Sequence, residues 1–196
     1  MKSVILQEFV SVDGLAAGPN DSVDYVPASM QGDQRFGQRH MKFLDSVDTI
    51  LLGRVTYEMF AAHWPNVTTG DEKPFADKLN AMPKVVVSKT LRSAPWGTWG
   101  DAKIVKGDAA KEIAKLRDGS GKGIVLWGSL SLAQSLMKHG LIDEYQLIVC
   151  PILLGNGRPL FPTKTPSLGL QLVETQSFDR GAVLLTYKEA NESRKR

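Results

Sequence analysis

The sequence predicts an α/β fold with a mixed, mostly parallel central sheet, helices on both faces and an antiparallel hairpin at the C-terminal end. Three observations indicate this class. Short apolar, β-branched segments alternate with segments of helical periodicity along most of the 196 residues. Helix start and stop residues flank several of the helical segments. The last two strand-like segments flank an Asp-Arg-Gly sequence, which is typical of a hairpin turn.

The first half of the chain shows this alternation in order. Asp33 is available as an N-cap for the first helix, and Pro74 lies near the first turn of the third. The predicted elements are a strand at SVILQEFV (3–10), a helix at DQRFGQRHMKFLDSV (33–47), a buried strand at DTILLG (48–53), helices at VTYEMFAAHW (55–64) and EKPFADKLNAM (72–82), and a central strand at KVVVS (84–88).

The second half continues the pattern and then changes. Asp108 is predicted to cap a helix that stops at Gly119. The predicted elements are strands at AKIV (102–105) and GIVLW (123–127), helices at AAKEIAKLRD (109–118) and SLSLAQSLMKH (129–139), a long strand at EYQLIVCPILL (144–154), and hairpin strands at LQLVETQSF (170–178) and AVLLTYKEA (182–190).

Composition excludes several functional classes. The formal net charge is only +3, partly from the terminal basic residues, so we expect binding to neither nucleic acid nor membranes. One cysteine, Cys150, allows no intrachain disulfide and favours a reducing compartment. No signal peptide is recognisable, and no apolar run approaches the roughly 18 residues that span a bilayer. We predict a cytoplasmic protein with a single domain over residues 1–190 and a basic tail at 191–196.

Three strand-to-helix junctions carry residues suited to phosphate groups. In open α/β sheets, ligands gather where strands end and helices begin, because free N–H groups and helix dipoles favour anions there. Each junction has a local alternative, since glycine serves turn geometry and serine serves as an N-cap. Three junctions in one chain, two of them with a cation, favour a ligand with several phosphates. They are Gly53-Arg54-Val55-Thr56, Ser88-Lys89 and Gly128-Ser129-Leu130-Ser131.

Standard phosphate, metal and hydrolase motifs do not fit this sequence. DGSGKG (118–123) mimics a phosphate loop, but it lacks the first glycine and the Ser or Thr that should follow Lys122. GNGRPL (155–160) lacks the third glycine of a dinucleotide fingerprint. The three histidines show no metal-ligand spacing, and no Gly-x-Ser-x-Gly elbow occurs. We therefore predict no metal site and no hydrolase triad.

Several motifs, taken in order, resemble the dihydrofolate reductase-like superfamily. They are FVSVDGLAAGP (9–19), LLGRVTYE (51–58), VVVSKT (85–90) and LWGSLSLAQSLMKHGLIDEYQLIVCPILLGNGRPLF (126–161). The sequence is most similar to the C-terminal reductase domain of riboflavin-biosynthesis deaminase-reductases and its stand-alone relatives. The resemblance covers nearly the whole chain. It implies a three-layer α/β/α sandwich around a mixed sheet, with NADPH as the cofactor.

The resemblance assigns the three junctions to NADPH. The first looks like the turn that receives the pyrophosphate and adenosine side, with Arg54 placed to meet a 2'-phosphate. The second lies beside the adenine ribose, where Lys89 can add to 2'-phosphate affinity. The third matches a second phosphate-contacting turn. The implied cofactor-binding residues are Gly53, Arg54, Val55, Thr56, Ser88, Lys89, Gly128, Ser129, Leu130 and Ser131.

The resemblance also implies a substrate and nicotinamide side. Its candidates are Phe9, Ser11, Asp13, Gly14 and Trp127. Asp13 and Gly14 have the alternative interpretation of a turn pair. Trp127 either borders the pocket or packs in the core.

The catalytic residue is not identified by the sequence. In dihydrofolate reductases a carboxylate on the first helix binds the pterin ring, and the corresponding place here, Phe36-Gly37, carries no acid. Asp33 lies about one turn earlier, where it either substitutes for that carboxylate or caps the helix. Asp13 and Asp33 are therefore weak catalytic candidates, and folate reduction itself is not the expected activity.

Two functional classes follow from the resemblance. The first is an NADPH-dependent oxidoreductase that transfers a hydride to a small heterocycle of the pyrimidine, pterin or riboflavin-precursor type. The second is a non-catalytic nucleotide-binding or regulatory protein on the same scaffold. A purely structural oligomer requires the three phosphate-type junctions to be a coincidence. The zinc-binding motifs of the deaminase half are absent from this sequence. The resemblance further implies a homodimer.

Overall fold

The computed structural model describes residues 1–161 and 167–190, so the predicted basic tail at 191–196 lies outside the described residues. The strands are β1 (Val4–Ser11), β2 (Leu15–Ala17), β3 (Val47–Gly53), β4 (Lys84–Val87), β5 (Lys103–Val105), β6 (Gly123–Trp127), β7 (Glu144–Cys150), β8 (Arg158–Pro159), β9 (Leu170–Ser177) and β10 (Val183–Glu189). The α-helices are α1 (Tyr25–Met30), α2 (Gln34–Leu44), α3 (Arg54–His63), α4 (Lys73–Ala81), α5 (Ala109–Arg117) and α6 (Leu130–Lys138).

One compact unit comprises Met1–Val4 and His40–Leu141, and we call it unit 1. Its strands lie in the order β5-β4-β3-β6, and all neighbouring pairs are parallel. Ile50, Leu51 and Leu52 of the central strand β3 are completely buried, as are Val125 and Leu126 of β6. These strands read as continuous apolar runs because parallel strands are covered on both faces.

The other compact unit comprises Ile5–Arg39 and Ile142–Arg196, and we call it unit 2. Strands β1 and β7 are parallel, and β7-β10-β9 continue as antiparallel neighbours. A second small sheet pairs β2 with β8. The core contains Met30, Ile148, Phe178, Ala182 and Leu184, with Phe9 and Phe36 packed against it. Cys150, at the end of β7, is fully buried, and burial raises the pKa of its thiol.

The predicted fold class is confirmed: parallel strands alternate with helices, and an antiparallel hairpin follows. The predicted caps are also present, because Asp108 accepts the Lys111 N–H and Asp33 accepts the Phe36 N–H. The predicted strand at 144–154 is too long. It ends at Cys150, because Pro151 has no N–H to donate to a strand ladder. The single-domain prediction stays a prediction.

Strand β9 lies at the edge of its sheet and is exposed along most of its length. Leu170, Leu172 and Val173 are large apolar side chains in contact with solvent there. The homodimer implied by the resemblance stays a prediction. Among residues 1–161 and 167–190, the structure has no helix long and apolar enough to cross a membrane.

Candidate functional site

The three predicted junctions lie at one end of the parallel sheet of unit 1. Gly53 pairs with Val87 in the register of β3 and β4, so Ser88 follows directly beside the end of β3. On the other side, Leu51 pairs with Leu126, which brings the β6–α6 turn to the same level. Because β3 lies between β4 and β6, the structure brings the Gly53, Ser88 and Gly128 junctions together.

The Ser129 hydroxyl links two of these junctions. Its Oγ accepts the Gly53 N–H at 2.7 Å and lies 3.0 Å from both the Thr56 Oγ1 and the Trp127 carbonyl oxygen. Thr56 Oγ1 in turn accepts the Ser129 N–H at 3.0 Å. Both hydroxyls, which the sequence assigns to ligand contacts, are therefore engaged with each other. Their role in this structure is to hold the β3–α3 and β6–α6 turns in one geometry.

The backbone of the β6–α6 turn is unusual. Gly128 and Ser129 both adopt left-handed conformations, with φ of 53° and 58°. A Cβ on Gly128 would lie 3.0 Å from Thr56 Oγ1, a tight contact that requires Thr56 to move, and the positive φ itself favours glycine. The close approach of the two turns depends on this glycine.

Two helices begin at these linked turns. The N-cap residues of α3 and α6 are Gly53 and Ser129, and neither supplies a side-chain capping bond. Helices start with N–H groups that lack intrahelical partners, and their N-terminal dipole favours negative charge. The first turns of α3 and α6 consequently offer backbone donors, including those of Val55 and Leu130, that suit two linked phosphates.

Cations flank these helix starts. Arg54 Nη1 contacts both carboxylate oxygens of Glu58, at 2.9 and 2.7 Å, in a half-exposed pair. Such surface pairs contribute only about 0–1 kcal/mol, so the guanidinium is available to a stronger anion. The Ser88 Oγ accepts N–H bonds from Thr90 and Leu91, and this turn presents Lys89 at the surface.

Lys106 is a further cation that the sequence interpretation missed. It follows β5 directly, and the Val105 carbonyl accepts the Ser88 N–H at 3.0 Å. Lys106 is exposed beside the Ser88 junction. Since β5 has only three residues, its end carries no strong sequence signal, and only the pairing with β4 places Lys106 near Lys89.

Trp127 lies in an aromatic cluster of unit 1 rather than at an open surface. Its ring centroid is 6.0 Å from His40, 6.1 Å from Phe60 and 6.4 Å from Phe75. The indole is buried. Of the two interpretations left open by the sequence, these contacts match core packing.

The predicted nicotinamide-side loop belongs to unit 2 and is fastened to the Gly-rich segment. The Asp13 carboxylate accepts the N–H groups of Leu154 at 3.1 Å and Gly155 at 2.8 Å. The Ser11 Oγ accepts the Leu15 N–H at 3.0 Å, and Gly14 adopts a φ of 80°. Asp13 and Gly14 thus form a turn pair whose carboxylate orders a second loop.

Asp33 is likewise engaged with the backbone. Its carboxylate accepts the Phe36 N–H and the Arg180 N–H, each at 2.9 Å. Burial opposes ionisation of this carboxyl group, but the backbone hydrogen bonds outweigh it and lower the pKa. Phe9 packs against Phe36, with centroids 5.8 Å apart. An acid that stays ionised and fully hydrogen-bonded is poorly suited to donate a proton.

The acid pH dependence of stability tests the role of Asp13. Hydrogen bonds from Ser11, Gly155 and Leu154 lower its pKa to about 2. Because the folded-state pKa lies below the unfolded value, its contribution is present above about pH 4 and is lost as the pH falls towards 2. We expect Asp13→Asn to lower the free energy of unfolding at pH 7. We also expect the free energy of unfolding of this variant to change less than that of wild type between about pH 4 and about pH 2, as measured by urea unfolding. Asp71→Asn, at an exposed loop position, should behave like wild type.

Glu8 is a buried acid that the sequence interpretation also missed. It lies in the middle of β1, next to Gln7, whose amide donates to the Gln146 amide oxygen at 2.8 Å. Burial and the nearby Cys150 and Glu8 raise the pKa of Tyr25, whose hydroxyl donates to the Phe9 carbonyl. A charged residue within a strand pattern ordinarily indicates a solvent-facing position, so sequence carries no signal for this burial.

Fold and site together define an α/β protein in which two helices start side by side after adjacent parallel strands, with Arg54, Lys89 and Lys106 at the ends of β3, β4 and β5. A family model for the RibD C-terminal domain matches residues 2–184. The chain therefore belongs to the RibD C-terminal domain family, and the predicted resemblance to the reductase-like branch of the dihydrofolate reductase-like superfamily is confirmed.

Individual relatives agree with this family. The chain is 31% identical over 187 residues to YyaP, an uncharacterized protein of Bacillus subtilis (strain 168), covering 95% of this chain and 94% of that protein. It has the fold of a candidate riboflavin biosynthesis protein from Shewanella sp. PV-4, with a TM-score of 0.74, 24% identity and coverage of 96% and 99%.

A third relative is longer than this chain. It is the diaminohydroxyphosphoribosylaminopyrimidine deaminase/5-amino-6-(5-phosphoribosylamino)uracil reductase of Thermotoga maritima, with a TM-score of 0.66 and 11% identity. The match covers 96% of this chain and 57% of that one. At this level of identity the likeness concerns the fold.

Proposed function

We propose that this protein is an NADPH-dependent reductase that acts on a small heterocycle of the pyrimidine, pterin or riboflavin-precursor type. The observation that carries the proposal is the pair of helix starts, α3 and α6, locked side by side by the Ser129 and Thr56 hydroxyls. Membership of the RibD C-terminal domain family supports a reductase. The protein is proposed to work in the cytoplasm on a free small molecule.

The residues present fit a dinucleotide with an additional phosphate. The first turns of α3 and α6 would hold the pyrophosphate through backbone N–H groups, because both helices lack a side-chain cap from their N-cap residues. Arg54 and Lys89 would hold the 2'-phosphate, with Arg54 leaving Glu58 to do so. When bound, NADPH supplies the hydride. The protein contributes by positioning the reactants and excluding water from them.

Neither Asp13 nor Asp33 is proposed as the proton donor. Both carboxylates accept two backbone N–H groups, and both have lowered pKa values. The same observation favours the second candidate function, a non-catalytic nucleotide-binding protein on this scaffold. The two functions differ in one measurement, because only the reductase oxidises NADPH in the presence of a suitable pterin, diaminopyrimidine or other heterocycle.

NADPH binding tests the proposed cofactor site. A ligand that binds only the native state raises the free energy of unfolding by on the order of 3 kcal/mol at a hundredfold excess over its Kd. We expect Arg54→Ala to weaken NADPH binding by about tenfold, the loss of one good charge-assisted contact, and to leave NADH binding nearly unchanged. Glu58→Gln should preserve or improve NADPH binding, because it frees Arg54 from its ion pair. Isothermal titration calorimetry measures the Kd of each variant for NADPH and for NADH.

Lys138→Ala provides a matched control, since Lys138 is an exposed cation at the far end of α6. It should bind both cofactors like wild type. Equal affinity of the wild-type protein for NADPH and NADH would disprove the 2'-phosphate role of Arg54. If the wild-type protein bound neither NADPH nor NADH, the proposed cofactor site as a whole would be disproved.

A further inference from the structure

A cavity of about 240 Å³ lies in unit 1 at the start of β4. It is lined by residues 80–84, Trp96 and residues 99–101. The proposed cofactor junction at Ser88 follows the other end of the same strand. Since β4 runs from Lys84 to Val87 and each residue advances about 3.3 Å, the cavity and the cofactor site are separated by the length of this strand.

Lys84 is the chemically distinctive residue of this cavity. The residue is only 7% exposed, and its Nζ lies 4.6 Å from the centroid of the Trp96 ring. The ammonium group donates to the Asn80 carbonyl oxygen. Among the residues that the structure describes, no carboxylate forms an ion pair with Lys84. Burial lowers its pKa to about 8, as expected for a cation that lacks a counter-ion.

The wall behind Lys84 is already ordered by hydrogen bonds. Trp96 Nε1 donates to the Asn80 Oδ1 at 2.7 Å, and Asn80 Nδ2 donates to the Trp64 carbonyl oxygen at 3.0 Å. The Trp96 N–H donates to the Gly100 carbonyl at 2.9 Å, which closes the loop over the cavity. A ligand that enters this cavity therefore finds its walls in place, which reduces the ordering cost of binding.

The open side of the cavity offers an aromatic surface. Trp99 lines the cavity and is 47% exposed, although a tryptophan ordinarily buries most of its surface. A planar ring that packs on this indole would cover apolar surface and gain stacking energy. Asp101 also lines the cavity, and its carboxylate repels negative charge on the ligand, so a ligand with one carboxylate is favoured over one with two.

We propose that this cavity binds a small aromatic monocarboxylate, whose carboxylate pairs with the Lys84 ammonium group and whose ring packs on Trp99. The single carboxylate supplies the counter-ion that Lys84 lacks within the described part of the chain. The ring uses the half-exposed indole, and the volume suits a molecule of one ring. This site is independent of the proposed reductase function.

Benzoate is the probe for this proposal, and the readout is the backbone N–H signal of Gly100, a lining residue that every variant keeps, in an NMR titration. Wild-type protein is expected to bind benzoate with a Kd of about 1 mM or tighter. Lys84→Met should weaken binding at least tenfold, and Trp99→Ala should weaken it severalfold. Asp101→Asn should strengthen it, because it removes a carboxylate from the lining. NADPH titrations on the same variants should match wild type.

Lys138→Met serves as the matched control and should bind benzoate like wild type, since Lys138 lies at the exposed end of α6. Trp99→Ala keeps the test valid if Lys84→Met does not fold, because Trp99 is half-exposed and its removal leaves the core intact. The proposal is overturned if benzoate moves no signals near Trp99. It is equally overturned if the Lys84 and Trp99 variants bind benzoate as tightly as wild type.

Discussion

Gly128→Ala is expected to remove most NADPH binding and to destabilise the fold by about 2–4 kcal/mol. A non-glycine residue at a φ of 53° carries backbone strain of about 1 kcal/mol or more. The new Cβ would also lie 3.0 Å from Thr56 Oγ1 and 3.2 Å from its Cγ2, so Thr56 must move by a few tenths of an ångström, which strains its hydrogen bonds to Ser129. Thermal unfolding with and without NADPH measures both effects, at about 2–4 °C per kcal/mol for a chain of this size.

Gly32→Ala is a closely matched control for this substitution. Gly32 also has a positive φ, 76°, but a Cβ there would meet no atom within 4 Å. Gly32→Ala should therefore lower the free energy of unfolding by about 1 kcal/mol, from backbone strain alone, and should leave NADPH affinity unchanged. If Gly128→Ala retained wild-type NADPH affinity, the β6–α6 turn would play no part in cofactor binding.

Gly157→Ala is expected to destabilise unit 2 by on the order of 4 kcal/mol, the sum of backbone strain and overpacking. Gly157 has a φ of 150°, and its Cβ would lie 2.0 Å from the Ala17 carbonyl oxygen. The β2–β8 pair cannot absorb this contact, because the contact is with backbone rather than a flexible side chain. Urea unfolding followed by circular dichroism gives the change in the free energy of unfolding.

Gly155→Ala is the control for Gly157→Ala. Gly155 lies two residues before Gly157 and has a φ of 70°, and a Cβ added there would meet no atom within 4 Å. It should lose only about 1 kcal/mol through strain. Equal stabilities for the two variants would show that the close approach of Gly157 to Ala17 is not required by the fold.

Hydrophobic periodicity predicts most of the regular elements, because the apolar residues that each element buries lie within one short segment of the sequence. Ile50, Leu51 and Leu52 form one apolar run, and the structure buries all three in the central strand β3. Asp108 and Asp33 act within the first turn of their own helices, so their caps were readable without tertiary knowledge. The Gly53-Arg54-Val55-Thr56 turn is recognisable for the same reason, because its residues are consecutive.

Elements held by distant partners could not be predicted in this way. Helix α1 contains Pro27 and follows no clear period, and Tyr25 secures it through the Phe9 and Ala16 carbonyls. Strand β8 has two residues and exists because it pairs with β2. These contacts join residues that are distant in sequence, so a short segment of the sequence does not predict them.

The candidate site shows the same division. Sequence placed Gly53 and Ser129 at separate junctions, but only the adjacency of β3 and β6 reveals that the Ser129 hydroxyl accepts the Gly53 N–H. Lys84 opens a β-branched strand, and its burial arises from the Trp96 loop that folds over it. The sequence therefore supplies the residue types of the candidate site but not the hydrogen bonds that organise them.

Cys150 has a practical consequence for studying this protein. It is the chain's only cysteine, it is completely buried in β7, and burial raises the pKa of its thiol. A disulfide reagent can modify such a group only after the surrounding structure opens. The rate at which a disulfide reagent modifies Cys150 in the unaltered protein therefore reports transient opening around β7, and no engineered cysteine is needed.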